Sequence, residues 1–148
     1  MKFRVNGIPA PQGSKRHVGG GIMIESSKAV KPWREAVRTE TQRALENGSE
    51  PFAKGQPVMV WLNFWLPRPK GHYGTGRNAA VIKPSAPQIP VVQPDLDKLQ
   101  RAVLDGLKSG GAYADDCQVA CIVAGKEYAD HCAPGCDIRV EHCPVRQP

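Results

Sequence analysis

The sequence predicts a single compact α+β domain with two layers, in which a small mixed β-sheet carries helices packed on one face. The chain has 148 residues, 41% of them hydrophobic, which suits one modest core. Segments in which apolar and polar side chains alternate are separated by two segments with helical spacing of apolar residues. The sequence contains no internal repeat, so we expect one domain over residues 1–148.

The N-terminal part of the chain predicts a strand, a loop and a helix. Residues 2–8 alternate apolar and polar side chains, as a half-buried strand does. Residues 9–27 are rich in Gly and carry Lys15 and Arg16, so they predict a flexible basic loop. Its cations either contact phosphate or belong to a solvated turn. Pro32 suits the first turn of a helix that an Asn-Gly pair ends.

The middle of the chain predicts a strand followed by a long loop. Residues 57–66 are apolar in both alternating positions, which predicts a largely buried strand with Trp61 and Trp65 in the core. Residues 67–93 are crowded with Pro and Gly and contain no acidic residue. A loop of this length is either functional or mobile. If it is functional, its basic side chains would gather a phosphate backbone; they are Arg68, Lys70, Arg77 and Lys83.

The C-terminal third predicts one helix and two strands. Apolar residues recur at helical spacing from Leu96 to about Lys108, where Ser-Gly-Gly ends the pattern. Residues 118–126 are apolar on both faces and predict a second buried strand. Residues 137–141 alternate and predict the last strand.

The charge balance favours a polyanionic partner. The net charge is +6 and the sequence pI is about 9.2, and nucleic acid is the commonest polyanion of the cytoplasm. No apolar run approaches the roughly 20 residues of a membrane helix. Arg4 and Asn6 interrupt the first apolar stretch, so we expect no secretory signal and a cytoplasmic protein. Net charge alone is equally compatible with a basic protein that binds no nucleic acid.

The five cysteines leave two interpretations open. An odd number argues against a disulfide framework in a cytoplasmic chain. A zinc site near the C terminus would use ligands three or four residues apart; the candidates are His131, Cys132, Cys136, His142 and Cys143. The favoured interpretation is that the cysteines are small apolar fillers, with Cys117 and Cys121 buried, because paired Cys-x-x-Cys spacing is lacking.

Acidic residues surround the predicted helix 96–108. Asp95 occupies the N-cap position and Asp97 the first turn, where free amides and the helix dipole favour carboxylates for structural reasons alone. Asp115 and Asp116 add two carboxylates at a strand start, and like charges brought close together need a cation. Hard oxygen ligands suit Mg²⁺, with Mn²⁺ as a substitute. The reaction class predicted is phosphodiester hydrolysis.

The polar face of the same helix carries Asp97, Arg101 and Asp105 at four-residue spacing. Asp105 lies about 12 Å along the helix from Asp97, too far for both to hold one ion. We therefore expect Asp105 to pair with Arg101 and to position it. Arg101 stays charged and can stabilise a phosphate but cannot act as a proton donor. Lys98 could take over that role.

The order of these motifs resembles the RusA family of Holliday junction resolvases. In that family Asp-x-Asp opens a helix, a basic residue follows four places after the second Asp, another Asp lies on the helix, and Asp-Asp-x-Gln begins the next strand. The matching segments here are Asp95-Leu96-Asp97, Arg101, Asp105 and Asp115-Asp116-Cys117-Gln118, with Lys126 where the family often has a basic residue. The likeness covers nearly the whole chain and is specific from Pro94 to Lys126.

The resemblance implies a Mg²⁺-dependent endodeoxyribonuclease that nicks two strands of a four-way junction in DNA recombination and repair, as a homodimer. Its essential carboxylates would be Asp95, Asp97 and Asp116, with Asp115 as a further metal ligand. Arg101 would be a catalytic residue at a position where many members have Lys. Phosphate contacts are expected from basic residues of the loops, helix and strand, namely Lys15, Arg16, Arg68, Lys70, Arg77, Lys98 and Lys126.

Two other functions stay open on the sequence. A metal nuclease for flaps or forks would use the same residues. A non-catalytic basic DNA-binding module would use the acidic cluster only for structure.

Overall fold

The computed structural model describes residues 1–13, 15–17, 23–25 and 28–144, and for 15–17 and 23–25 the backbone only. The elements, in chain order, are β1 (Lys2–Asn6), β2 (Lys15–His17), β3 (Met23–Glu25), α1 (Val30–Glu46), β4 (Val58–Leu66), α2 (Leu96–Gly110), β5 (Val119–Tyr128) and β6 (Gly135–His142). They form a small mixed sheet with two helices, which confirms the predicted α+β class.

The main sheet has the strand order β1-β6-β4-β5. The β1–β6 and β4–β6 pairs are antiparallel, whereas β4 and β5 run parallel. A parallel pair needs a crossover connection, and the chain between β4 and β5 contains α2. β5 forms one edge of the sheet, and the connection that reaches it from β4 consists of the long loop 67–95, α2 and a short turn.

A second, two-stranded sheet lies in the predicted flexible loop. β2 and β3 pair antiparallel, with His17 opposite Met23. The loop prediction for residues 9–27 is therefore wrong for these two segments. The sequence did not distinguish these paired strands from a loop, because glycine is frequent beside short strands as well as in loops.

The core lies between the helices and one face of the sheet. Alternate residues of β4 are buried, as the period of a strand requires; they are Val58, Val60, Leu62, Phe64 and Leu66. Trp61 points to the other face and is 39% exposed, and Trp65 is half-buried. Their predicted core positions are wrong, because an apolar run cannot tell which face of a strand the protein covers.

Two indole groups on this outer face are anchored by carboxylates. Trp61 Nε1 donates to Glu141 at 2.8 Å and Trp65 Nε1 donates to Asp137 at 2.6 Å. Such polar handles let a tryptophan remain at a surface.

Small residues bring α1 and α2 close together. A Cβ atom on Gly106 would lie 2.7 Å from the Val37 side chain, and one on Gly110 would lie 2.6 Å from Thr41. These distances are too short for carbon contacts, so glycine is required at both positions. The resulting approach fixes α2 against the rest of the domain.

No helix within the described ranges is long and apolar enough to cross a membrane.

Candidate active site

The N terminus of α2 presents two carboxylates. Asp95 has the extended backbone of an N-cap residue, and its carbonyl accepts the first helical bond from the Leu99 amide at 3.1 Å. Its side chain makes no capping bond and instead lies 2.8 Å from Lys98 Nζ. Hydrogen bonding by Lys98, and then its charge, lowers the pKa of Asp95. Asp97 is exposed in the first turn, so both groups face solvent beside the positive end of the helix dipole.

Lys126 fixes the segment that leads into α2. Its ammonium donates to the carbonyls of Val92 at 2.8 Å and Pro94 at 3.0 Å. It also contributes to the lowered pKa of Asp95. In the free protein Lys126 thus positions the start of α2, and its contact with phosphate stays a prediction.

Asp115 and Asp116 lie in a tight turn before β5. A single 3-10 turn spans Asp116–Gln118, and Asp115 caps it through a capping box with Gln118. In such a box each side chain satisfies a free backbone amide of the other residue. Both carboxylates are exposed, so the turn holds them at the surface.

Gln118 is the buried support of this turn. Its Oε1 accepts from the amides of Ala114 and Asp115, both at 3.0 Å. Its Nε2 donates to the carbonyls of Ala53 at 2.8 Å and Gln56 at 3.1 Å. Sequence reasoning gave Gln118 no role, although its place three residues after Asp115 is the spacing of a capping box.

Lys108, in the last turn of α2, holds both of these carboxylates. Its Nζ lies 3.2 Å from Asp115 and 3.4 Å from Asp116. The hydrogen bond from Lys108, followed by its charge, lowers the pKa of Asp115. The sequence analysis missed this lysine, because a cation near a helix C terminus has an ordinary explanation in the dipole.

Tyr113 confirms which end of α2 lies beside Asp116. Its hydroxyl donates to the Leu104 carbonyl at 3.1 Å. Burial raises the pKa of Tyr113, and the nearby charges of Asp116 and Asp105 raise it further. Asp116 therefore lies beside the C-terminal half of α2.

The two carboxylate pairs lie at opposite ends of one helix. Lys108, which holds the second pair, follows Asp97 by eleven residues, or about 16 Å along the helix axis. Lys126, which lies beside Asp95, is near the C-terminal end of β5, whereas Asp116 precedes the first residue of that strand. Among the described residues, no group of three His, Cys, Asp or Glu side chains could hold a metal ion. One chain thus brings Asp95 to Asp97 and Asp115 to Asp116, but it does not bring the two pairs together.

The predicted pairing of Asp105 with Arg101 is wrong. Asp105 lies 3.6 Å from Arg34 of α1, because the packing of the two helices brings that guanidinium alongside. Arg101 is exposed and forms no ion pair within the part of the chain that the structure describes. Arg101 is therefore available to an external anion.

One predicted phosphate contact of the long loop is also wrong. The Arg68 side chain is only 2% exposed and pairs with Asp130 at 2.6 Å. Lys83 donates to the Gly71 carbonyl at 2.8 Å. Lys70, Arg77 and Lys83 are exposed, and of these three Lys83 is held by its bond to the loop backbone.

The side chains of Lys15 and Arg16, also predicted to contact phosphate, lie outside the described residues.

The zinc site that the sequence left open as an alternative is not formed by the described residues, among which no three His, Cys, Asp or Glu side chains could hold a metal ion. Cys136 is buried near the start of β6, whereas His142 ends that strand, so the strand keeps these two residues apart. The alternative of buried fillers is also partly wrong, since Cys117 is exposed and Cys121 half-buried.

Comparison with protein-family models matches residues 5–141 to the model described as Endodeoxyribonuclease RusA. No curated protein matched the chain.

Proposed function

The chain belongs to the RusA endodeoxyribonuclease family, and on that premise we propose that it is a Mg²⁺-dependent nuclease that resolves Holliday junctions by paired nicks in DNA recombination and repair. The observation that carries the proposal is the exposure of four carboxylates at the two ends of α2, each end supported by a lysine. A surface carboxylate that is paired with a lysine can release the lysine and bind a metal ion instead, and the metal ion can in turn bind a phosphate.

In a single chain, the two carboxylate pairs cannot bind one metal ion together. About 16 Å of helix separates the two pairs, whereas ligand oxygens must lie about 2.0–2.1 Å from Mg²⁺. We propose that a homodimer supplies the missing ligands, so that Asp95 and Asp97 of one chain meet Asp116 of the partner subunit. Two-fold symmetry then creates two equal sites, as a pair of nicks requires.

The remaining side chains would bind and orient the DNA. If Asp95, Asp97 and Asp116 of the partner subunit hold Mg²⁺, the ion would supply Lewis-acid stabilisation of the scissile phosphate and activation of a water. Arg101 is exposed on the same face as Asp97 and binds a phosphate oxygen without changing its own charge. Lys98 pairs with Asp95 in the free protein and would be free to contact phosphate if a metal ion bound that carboxylate.

The first experiment compares Asp97→Asn with the matched control Glu46→Gln, an exposed change at the end of α1. Both proteins are incubated with a synthetic four-way junction, a fork and a flap, each with and without Mg²⁺. We expect Glu46→Gln to cut the four-way junction as the parent does. Asp97→Asn should bind this junction and fail to cut it. Equal cutting by both variants, or binding without cutting by the parent, would contradict the proposed activity.

A second experiment tests whether two chains share a site. Asp97→Asn and Asp116→Asn are each expected to be inactive. In a mixed dimer, the intact Asp97 of one chain meets the intact Asp116 of the other, so one of the two sites is whole. Mixing the variants should therefore restore nicking of one strand per junction. No recovery in proteins shown to exchange subunits would contradict a shared site.

A further inference from the structure

Three large apolar side chains are exposed in the segment that leads into α2. Ile89 is 61% exposed, Val91 78% and Val92 59%, whereas Pro90 between them is buried. We call residues 89–92 the apolar tip of the long loop. Single exposed apolar residues are normal at a protein surface, but a group of them marks a binding site. The apolar tip is therefore a candidate contact surface.

The backbone of the apolar tip is held on both sides. Before the tip, Arg68 donates to the Pro87 carbonyl at 2.9 Å. At its end, Lys126 donates to the carbonyls of Val92 at 2.8 Å and Pro94 at 3.0 Å. A side chain on a fixed backbone loses little conformational freedom when it binds a partner. The tip therefore presents its valines in a pre-organised position.

The apolar tip lies next to the carboxylates at the N terminus of α2. Asp95 follows Val92 by three residues, a stretch of chain that spans at most about 11 Å. Along a DNA strand this length corresponds to about three nucleotides, at about 3.4 Å each. A phosphate that is cut beside Asp95 would therefore lie within about three nucleotides of the bases that the tip can contact.

The charges around the apolar tip favour nucleic acid as its partner. Residues 67–93 contain no acidic residue, and Lys70 and Arg77 are exposed in the same loop. Such cations attract a phosphate backbone but do not distinguish one DNA structure from another. Apolar side chains that enter between bases can make this distinction, because they need a place where the base stack opens. The loop thus combines a means of attraction with a means of selection.

We propose that Val91 and Val92 insert between bases at the branch point of a four-way DNA junction and thereby select branched DNA over duplex. This inference rests on the proposed function, because it takes the phosphate that is cut to lie at Asp95 and Asp97. At a branch point the strands exchange partners and the helical stack is interrupted, so separating bases there costs less than within a duplex. A linear duplex offers no such opening, so its binding depends on the cations alone.

Binding measurements compare the double variant Val91→Ser/Val92→Ser with the control Val81→Ser, which changes a valine that is 57% exposed in the same loop but far from Asp95 in the sequence. Fluorescence anisotropy without a metal ion measures the affinity for a four-way junction and for a linear duplex of the same arm sequence. The double variant should bind the junction at least about tenfold more weakly and the duplex as the parent does. Val81→Ser should match the parent on both. Equal junction affinity of the double variant and the control would overturn the proposal.

Base unstacking provides a second readout that needs no cutting. The junction carries 2-aminopurine, a fluorescent base that is quenched when it is stacked, within about three nucleotides of the branch point. Binding of Asp97→Asn should raise its fluorescence. At saturating concentration, the same protein with Val91→Ser and Val92→Ser should leave the fluorescence low. An equal rise with both proteins would show that the valines do not open the stack and would overturn the insertion.

Two further comparisons separate the possible failures. Light scattering should give the parent mass for Val91→Ser/Val92→Ser; a lower mass for this variant alone would assign the apolar tip to a contact between chains and overturn the proposal. If the parent nicks the junction while both valine tests fail, the insertion is overturned and the nuclease assignment stands. If the fluorescence depends on the valines and the parent cuts no DNA with any metal ion, the insertion stands and the nuclease assignment fails.

Discussion

Arg68 and Asp130 are 62 residues apart in the chain and meet through two parallel hydrogen bonds of 2.7 and 2.6 Å. The guanidinium also donates to the Pro87 carbonyl at 2.9 Å and lies 4.0 Å from the ring centroid of Tyr128. A planar cation with this many fixed partners is a structural clamp. It ties the long loop to the end of β5, so Lys70 and Arg77 extend from an anchored base.

We expect Arg68→Ala to lower the free energy of unfolding by about 3 kcal/mol, because it leaves the Asp130 carboxylate partly buried without its partner. Lys70→Ala is the control, since Lys70 is exposed in the same loop and should change stability by less than about 0.5 kcal/mol. Urea denaturation measures both. Equal midpoints for the two variants would show that the clamp does not stabilise the fold.

The same pair predicts a pH dependence. The hydrogen bond from Arg68 lowers the pKa of Asp130, so its contribution to stability is fully present above the unfolded pKa of about 3.9. That contribution is lost as the pH falls through the lower folded pKa. The stability difference between the parent and Asp130→Asn should therefore be constant from neutral pH to about pH 5 and shrink in more acidic buffer. A difference that grows on acidification would contradict this assignment.

Gln118→Ala should lower both stability and nicking. The change leaves the Ala53 and Gln56 carbonyls and the Ala114 and Asp115 amides without their side-chain partner. We expect a loss of about 2 kcal/mol in the free energy of unfolding, and slower cutting in the folded protein because Asp116 loses its support. The control is Gln88→Ala, at an exposed position. If Gln118→Ala folds and cuts as the control does, the turn does not depend on this side chain.

Gly106→Ala tests the close contact of the two helices. The new methyl group would lie 2.7 Å from Val37, and such overpacking costs about 1–3 kcal/mol. Gly71→Ala adds the same methyl group where no atom lies within 4 Å, and it should not lower the melting temperature. Adding Val37→Ala to Gly106→Ala should restore part of the loss. No recovery would mean that the strain lies elsewhere.

Arg77→Ala tests the contact of the long loop with DNA. If Arg77 binds one phosphate, its removal weakens junction binding and reduces the slope of log K against log salt by about 0.9. Lys54→Ala, an exposed cation outside the loop, serves as the control. Fluorescence anisotropy at several salt concentrations measures the slope. An unchanged slope for Arg77→Ala would remove the loop from the DNA interface.

The sequence was sufficient to predict most of the architecture. The alternation in residues 137–141 and the leucine spacing from Leu96 indicated the last strand and α2 within about two residues of their observed ends. Asp95 was predicted at the N-cap and adopts the N-cap backbone. These features depend on local periodicity and local backbone preference, which neighbouring residues determine.

Features that depend on distant parts of the chain were not predictable in this way. Trp61 is 39% exposed because no element among the described residues covers that side of β4. Asp105 pairs with Arg34 because α1 packs beside α2. Arg68 is buried by a partner that follows it by 62 residues. The separation of Asp116 from Asp97 could have been predicted from the sequence. The helix rise that places Asp105 too far from Asp97 to share an ion also separates Asp97 from the turn that follows the helix.

Helix α2 sets the distance between the two carboxylate pairs, since Lys98 pairs with Asp95 at its N-terminal end and Lys108 pairs with Asp115 at its C-terminal end. A single residue inserted between these lysines would lengthen the rod by only about 1.5 Å but would turn one end relative to the other by about 100°. An insertion therefore changes the relative direction in which the two ends present their carboxylates far more than it changes the distance between them. In the proposed dimer, this relative direction decides whether both cutting centres face the same junction.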